Sequence, residues 1–476
     1  MSATPEICQL TAVEIASRIR ARDISSYEVV SAHLEQIERV NPRVNAIVTL
    51  VPEQALECAR RADEALARGD EPGRLHGLPI AHKDLQPTRG MRTTFGSRIH
   101  KDFVPQFDSL LVERVRNAGA ILLGKTNVPE FGVGSQTFND VFGATLNPYD
   151  LTKTCGGSSG GAAVALACRM LPIADGGDLG GSLRNPASFC NVVGFRPSPG
   201  RVPAWPVALG WSTLTVEGPM ARTVQDVAFF LSALAGPDAR SPISIDEPGA
   251  KFARPLDRDF RGVRVAWWKD LGGLPVDPRV REVVDAQSRV FETMGCVVEQ
   301  AEPSFADADE TFKTLRFAMS HLASVAFPDR MKKRELVKDT ILWETDLGGK
   351  LSGADVMLAE MKRTEIFHRM RHFLEQYEFF VLPVTQVPPF DVHQHYPTEI
   401  AGTKMETFID WMKSCYYISL TASPAISVPA GFTPDGLPVG IQIVGRHRDD
   451  WGVLQMAHAF EQARGLGTVL PVATVT

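Results

Sequence analysis

The sequence predicts an α/β protein built on a large mixed β-sheet, and three observations predict it. A chain of 476 residues, 44% hydrophobic and 22% charged, has enough apolar content to bury a large core. From Gly77 onward, apolar runs of strand length alternate with helical patterns, which is the β–α–β rhythm of a parallel sheet. Near the C-terminus, Thr433-Pro434-Asp435-Gly436-Leu437 is a hairpin turn signal between two strand-like runs, so at least one pair is antiparallel. Length alone would admit two or three domains, but large α/β enzymes often carry one continuous sheet.

The elements follow in order. The first 70 residues read as helices: Thr11 with Glu14 and Ser25 with Glu28 each match a capping box. Val29, Val30, His33, Ile37 and Val40 then recur at helical spacing, which puts His33 on a packed face. An amphipathic helix is expected over about 52–68. Leu78-Pro79-Ile80-Ala81 is a buried strand running into His82-Lys83-Asp84, followed by a helix over about 109–118 capped by Ser109 and a strand at Ile121-Leu122-Leu123. A glycine-rich turn feeds an Ala-rich helix over about 160–168, and Leu171-Pro172-Ile173-Ala174 is the next strand. Thr223 with Asp226 starts a helix through Leu234. A polar loop over about 238–255 precedes the strand from Val263 to Trp268, and a largely helical stretch over 304–377 reads as a cap or flank over the sheet. The strands Phe379-Phe380-Val381-Leu382, Ala425-Ile426-Ser427-Val428 and 439–444 complete it, with a helix ending near Leu420.

Composition narrows the function. A net charge of −6 gives no electrostatic footprint for nucleic acid or an anionic membrane, and no apolar run is long enough to span a bilayer. Seven widely spaced cysteines, with no CxxC and no zinc-type pairing, fit reduced thiols. The first residues, Met1-Ser2-Ala3-Thr4-Pro5-Glu6, lack the basic and apolar regions of a signal peptide, so a cytoplasmic protein acting on a small molecule is expected.

Two serine turns carry the candidate chemistry: Cys155-Gly156-Gly157-Ser158-Ser159-Gly160-Gly161 and Asp178-Leu179-Gly180-Gly181-Ser182-Leu183-Arg184. Glycine lets backbone N–H groups converge on a ligand. Ser182 is the best nucleophile because Gly180 and Gly181 can aim amides at the same carbonyl oxygen; the plain alternative is a turn or helix cap. Ser158 and Ser159 could relay a proton or cap the Ala-rich helix. The turn lacks the Gly-Lys-Ser/Thr ending of a P-loop, so a nucleotide-binding module is disfavoured. The base is open between Lys83, its neighbour His82 and a distant histidine such as His447; side chains alternate along a strand, so only one of His82 and Lys83 faces the serines. Lys83 would have to be neutral, which burial can achieve. His393-Gln394-His395 looks like a ligand pair but has no third ligand at metal spacing, so no metal and no cofactor are expected. Cys155 and Cys190 read as packing residues, as do Trp205, Trp211, Trp411 and Tyr416 taken singly.

Together these residues resemble the amidase signature family. The match covers Gly156-Gly157-Ser158-Ser159-Gly160-Gly161, then 178–184, Phe189-Cys190, Gly194-Phe195-Arg196-Pro197 and Gly200-Arg201-Val202, with the serines 24 residues apart and the lysine 75 residues before the first. It runs from about Leu75 to Thr223 and returns at 423–444. The resemblance implies the amidase signature fold, a large mixed central sheet flanked by helices on both faces, in one domain over 1–476 with a signature core over 75–225. It also implies Ser182 as nucleophile, Ser158 as the bridging serine on a cis peptide and Lys83 as base. The oxyanion hole would fall on the N–H groups of Leu179, Gly180, Gly181 and Ser182, and Gly132 on a substrate-contacting backbone; Asp178 and Arg184 would brace the turn. Leu179, Gly177 and Asn191 depart from the family's usual Thr, Ser or Thr, and Gly. The implied activity is hydrolysis of a small aryl, aliphatic or cyclic amide through an acyl-enzyme. The alternative is a glutamine-hydrolysing component of a tRNA-dependent amidotransferase complex. The oligomeric state is open, a homodimer included.

Overall fold

The computed structural model describes residues 5–465 and 469–475; the Met1-Ser2-Ala3-Thr4 segment read above lies outside them. Both capping boxes form. Thr11 and Ser25 each accept an N–H from the glutamate three residues on, and each glutamate returns a bond to the cap's backbone N–H. The helices they start, Ala12–Ala21 and Ser26–Val44, and the following Pro52–Arg68 pack their apolar faces inward, with His33 fully buried on the Val29 carbonyl at 2.8 Å.

The strands are β1 (Ile47–Leu50), β2 (Pro79–Lys83), β3 (Ile121–Thr126), β4 (Ile173–Asp178), β5 (Val193–Arg196) and β6 (Val216–Ala221). They continue with β7 (Arg264–Trp267), β8 (Val297–Gln300), β9 (Phe379–Pro383), β10 (Ala425–Phe432) and β11 (Pro438–Val444). Eight of them form one mixed sheet in the order β8-β7-β9-β11-β10-β5-β6-β4, parallel across β8-β7-β9 and antiparallel from β9 onward. The β10–β11 hairpin turns at the predicted Thr433-to-Leu437 segment.

The β–α–β unit at the start of the core is real, with β2 and β3 parallel, but it belongs to a separate three-stranded sheet, β1-β3-β2. The backbone ladder breaks beside β4, where the Asp175 carboxylate takes the Lys83 N–H at 3.2 Å. Some strands carry no clear pattern in the sequence. β1 is four residues long and only partly buried, β8 has two exposed ends, and β5 and β6 are short and carry Gly and Pro. β4 extends through Gly176 and Gly177 beyond its apolar start. The helices Ala308–Ala326 and Gly353–Gln376 fill the stretch expected as a helical flank. Among the described residues, no helix is long and apolar enough to cross a membrane.

Candidate active site

The site forms where β2 ends beside β4. Strand alternation sends the two basic neighbours of β2 opposite ways. His82 Nδ1 pairs with Asp175 Oδ1 at 2.6 Å, while Lys83 Nζ donates to Ser158 Oγ at 2.8 Å and Ser159 Oγ at 2.9 Å. His447 lies exposed, bonded to the Ala422 carbonyl at 3.0 Å. Lys83 is 2% exposed. Burial is the largest influence on its ammonium and pulls it below the ordinary lysine range, while Glu217, Asp175 and Asp178 push back.

Ser159 sits at the N-terminus of the helix Gly160–Ala167, yet its hydroxyl makes no cap there; it is committed to Lys83. The Gly157–Ser158 peptide is cis. The Gly156 and Gly157 carbonyls are held by Thr137 Oγ1 at 2.8 Å and Ser135 Oγ at 2.7 Å, which fixes the turn from behind.

The second turn leaves the end of β4. Ser182 is half-buried, and its carbonyl accepts the Ser159 N–H at 3.2 Å, so the two serine turns are joined through their backbones. Asp178 braces it: its carboxylate takes the Gly181 N–H at 3.0 Å, the Leu183 N–H at 3.2 Å, Arg184 at 3.0 and 3.1 Å and Arg196 at 3.0 Å. Burial alone would raise the Asp178 carboxyl, but the two guanidinium groups outweigh it and hold it well below the ordinary carboxylate range. Arg184 extends the brace to Gln442 Oε1 on β11 at 2.9 Å and to Ser419 Oγ at 2.8 Å.

The four amides assigned to an oxyanion hole are not all free. Gly181 donates to Asp178, because a buried carboxylate at the strand end captures the nearest free N–H. Among the described residues the Gly180 and Ser182 amides carry no such bond. Gly180 instead has its Cα against another wall: a Cβ there would lie 2.9 Å from Phe312 Cζ and 3.2 Å from Met412 Cε.

Gly132 lies beside the first serine turn. It has φ +74, and a Cβ on it would lie 3.6 Å from Ser158 Oγ. Phe312 and Tyr416 stack at 4.2 Å, and Trp411 is buried. Trp205 and Trp211 are not core: they are 37% and 76% exposed, because the segment between β5 and β6 runs over the surface, where Trp205 meets Phe107 and Arg240. His395 stacks on Phe138 at 5.2 Å, and among the described residues no group of three or more His, Cys, Asp or Glu is arranged for a metal. Cys155 and Cys190 are buried, with burial pushing the Cys155 thiol up to about 12. Asn191 has φ +55, which explains why glycine suits that position.

Comparison with known proteins gives this geometry its context. Residues 28–454 match the family described as Amidase. The chain belongs to the amidase family. An acylamidase from Rhodococcus erythropolis is 35% identical over 456 residues, covering 96% of this chain and 95% of the relative. The A subunit of the glutamyl-tRNA(Gln) amidotransferase from Geobacillus kaustophilus is 35% identical over 484 residues, covering 96% and 98%. Among solved structures, a bacterial aryl acylamidase of the amidase signature family superposes with a TM-score of 0.89 at 29% identity, over 95% of this chain and 96% of that one. A 6-aminohexanoate cyclic dimer hydrolase complexed with substrate superposes with a TM-score of 0.88 at 25% identity, over 99% and 100%. This amidase is therefore an amide hydrolase acting on carbon–nitrogen bonds, with the mixed α/β architecture of its relatives.

Sequence reasoning missed Asp175, Glu217 and Gln86 around the lysine. The available signal was the polarity of the two acids inside apolar strands: Asp175 interrupts β4 and Glu217 interrupts β6.

Proposed function

We propose that this amidase hydrolyses a small aryl, aliphatic or cyclic carboxamide through Ser182, with Ser158 and Lys83 as its proton relay. The observation that supports this most is the 2.8 Å bond from buried Lys83 Nζ to Ser158 Oγ, made beside the turn that carries half-buried Ser182. A lysine drawn below its ordinary range by burial is neutral often enough to accept a proton. Ser182 Oγ attacks the carbonyl as its proton passes to Ser158 and the Ser158 proton to Lys83. The oxyanion is received by the amides of Leu179, Gly180 and Ser182, while Gly181 holds the turn through Asp178. The same chain protonates the leaving amine, and water then hydrolyses the acyl-enzyme. Gly132, against Ser158 Oγ, offers backbone to the substrate.

An apolar substrate arm suits the cavity of about 240 Å³ lined by Val202, Val207, Leu209, Ile243, Met319 and Phe327, whose lining also includes Glu217. The second reading, a glutamine-hydrolysing component of an amidotransferase complex, is favoured by the equal identity to the A subunits of such enzymes. A panel of anilides, aliphatic amides, esters, cyclic amides and glutamine, run with purified wild type and Ser182→Ala, separates them. Hydrolysis of simple amides by the chain alone is expected. Glutaminase activity only, and only with added partner subunits, would favour the second reading.

A further inference from the structure

Glu217 is the half-buried ionisable group near the base that the relay above leaves without a task. It is the strand partner of Gly177 across the β4–β6 pair, and the Gly177 carbonyl lies 3.5 Å from Lys83 Nζ. The glutamate leans back over that glycine: a Cβ on Gly177 would lie 3.2 Å from Glu217 Oε2. Gly177 carries no side chain. The missing side chain leaves the room that the carboxyl occupies.

The neighbouring carboxylates are otherwise engaged. Asp178 is shared between Arg184 and Arg196, and Asp175 between His82 Nδ1 and the Lys83 N–H. Glu217 lies near the Gln86 side chain, whose Oε1 accepts the Ser109 hydroxyl at 2.7 Å, and among the described residues no arginine or histidine pairs with it. Of the three carboxylates acting on Lys83, Glu217 acts most strongly, ahead of Asp175 and Asp178. In return, burial lifts the Glu217 carboxyl above the ordinary range against the pull of Lys83, with Asp175 adding to the rise.

We propose that Glu217 is a positioning residue for the base: its carboxylate is the counter-charge for the Lys83 ammonium, acting across Gly177 without direct contact, so the proton taken from Ser182 is held on a lysine in the field of that carboxylate. The inference rests on the relay proposed above. As the Ser182 Oγ–carbonyl bond forms, one proton leaves Ser182 for Ser158, and the Ser158 proton moves to Lys83 Nζ. The positive charge then lies across Gly177 from the Glu217 carboxylate. When the carbon–nitrogen bond breaks, the proton returns through Ser158 to the leaving amine and Lys83 is neutral again. Groups facing the pair are Asp175 and Asp178 from β4 and its turn, Gln86 from the loop after β2, and the Ser158 and Ser159 hydroxyls. A substrate arm in the cavity that Glu217 helps to line would exclude water from the carboxylate and strengthen its attraction for the ammonium.

The test follows the pH dependence of Ser182 sulfonylation by phenylmethanesulfonyl fluoride, read as intact mass, together with kcat/KM on a substrate found in the panel. Wild type, Glu217→Gln and Glu217→Asp are compared. Removing the counter-charge makes the ammonium easier to deprotonate, so in Glu217→Gln the acid limb of both profiles moves to lower pH by roughly one to two units. The plateau rate falls because the base is weaker. Glu217→Asp, with its carboxyl drawn back, falls between, and serves if the glutamine variant does not fold. A limb that stays in place or moves to higher pH in folded variants would overturn the role of Glu217. Turnover retained in Ser182→Ala or Lys83→Ala would instead overturn the relay itself, so the two failures are distinguishable.

Discussion

At the scale of single residues, groups a few ångströms apart carry separate tasks. Ser182→Ala removes the proposed nucleophile from a half-buried turn without opening the core, so kcat is expected to fall by roughly 10⁴ or more while the thermal midpoint stays near wild type. Lys83→Ala should also abolish most turnover, and normal rates in a folded variant would hand the base role elsewhere. His33 provides a pH-dependent signature unrelated to catalysis. Burial lowers its imidazole to about 4 from the ordinary 6.5, so the unfolded state binds the extra proton first. Stability is therefore full above about 6.5 and is lost as the pH falls toward 4, by about 3 kcal/mol in all for this group. Urea unfolding of wild type and His33→Leu across that window checks it: the variant's curve should be flatter.

At the scale of elements, the nucleophile turn is held by a charge network that the residues of one strand end create. Asp178→Asn would leave Arg184 and Arg196 buried beside a neutral amide, and a loss of about 3–5 kcal/mol is expected from chemical unfolding. Much of this architecture was legible. Thr11, Ser25, Ser109 and Thr223 each announce a helix start through a hydroxyl that can accept an amide three residues on, and all four cap the helix they precede. The serine turns were legible through their glycines and the family resemblance. What was not legible depends on contacts distant in sequence. Asp175 reaches Lys83 across 92 residues, Glu217 reaches it through Gly177, and Phe312 meets Gly180 from a helix whose sequence carries no catalytic motif. Nothing local says either that Asp178 folds back on the Gly181 amide, which the resemblance assigns to the oxyanion hole.

At the scale of the whole molecule, two sheets meet at one lysine: β2 of the three-stranded sheet delivers Lys83, and β4 at the edge of the eight-stranded sheet delivers the Ser182 turn. The proposed chemistry uses side chains and amides alone, so activity of the purified chain should be unchanged by EDTA; a loss restored by zinc would reopen the question of His393 and His395. Everything proposed for the relay depends on the acyl group being carried by Ser182. The decisive measurement is to quench wild type rapidly during turnover of a slowly deacylating aryl ester or anilide and map the adduct by peptide mass spectrometry. One acyl group is expected on the peptide containing Ser182, absent in Ser182→Ala. An adduct on Ser158, Ser159 or Cys155, or steady turnover with Ser182 never modified, would contradict the assignment.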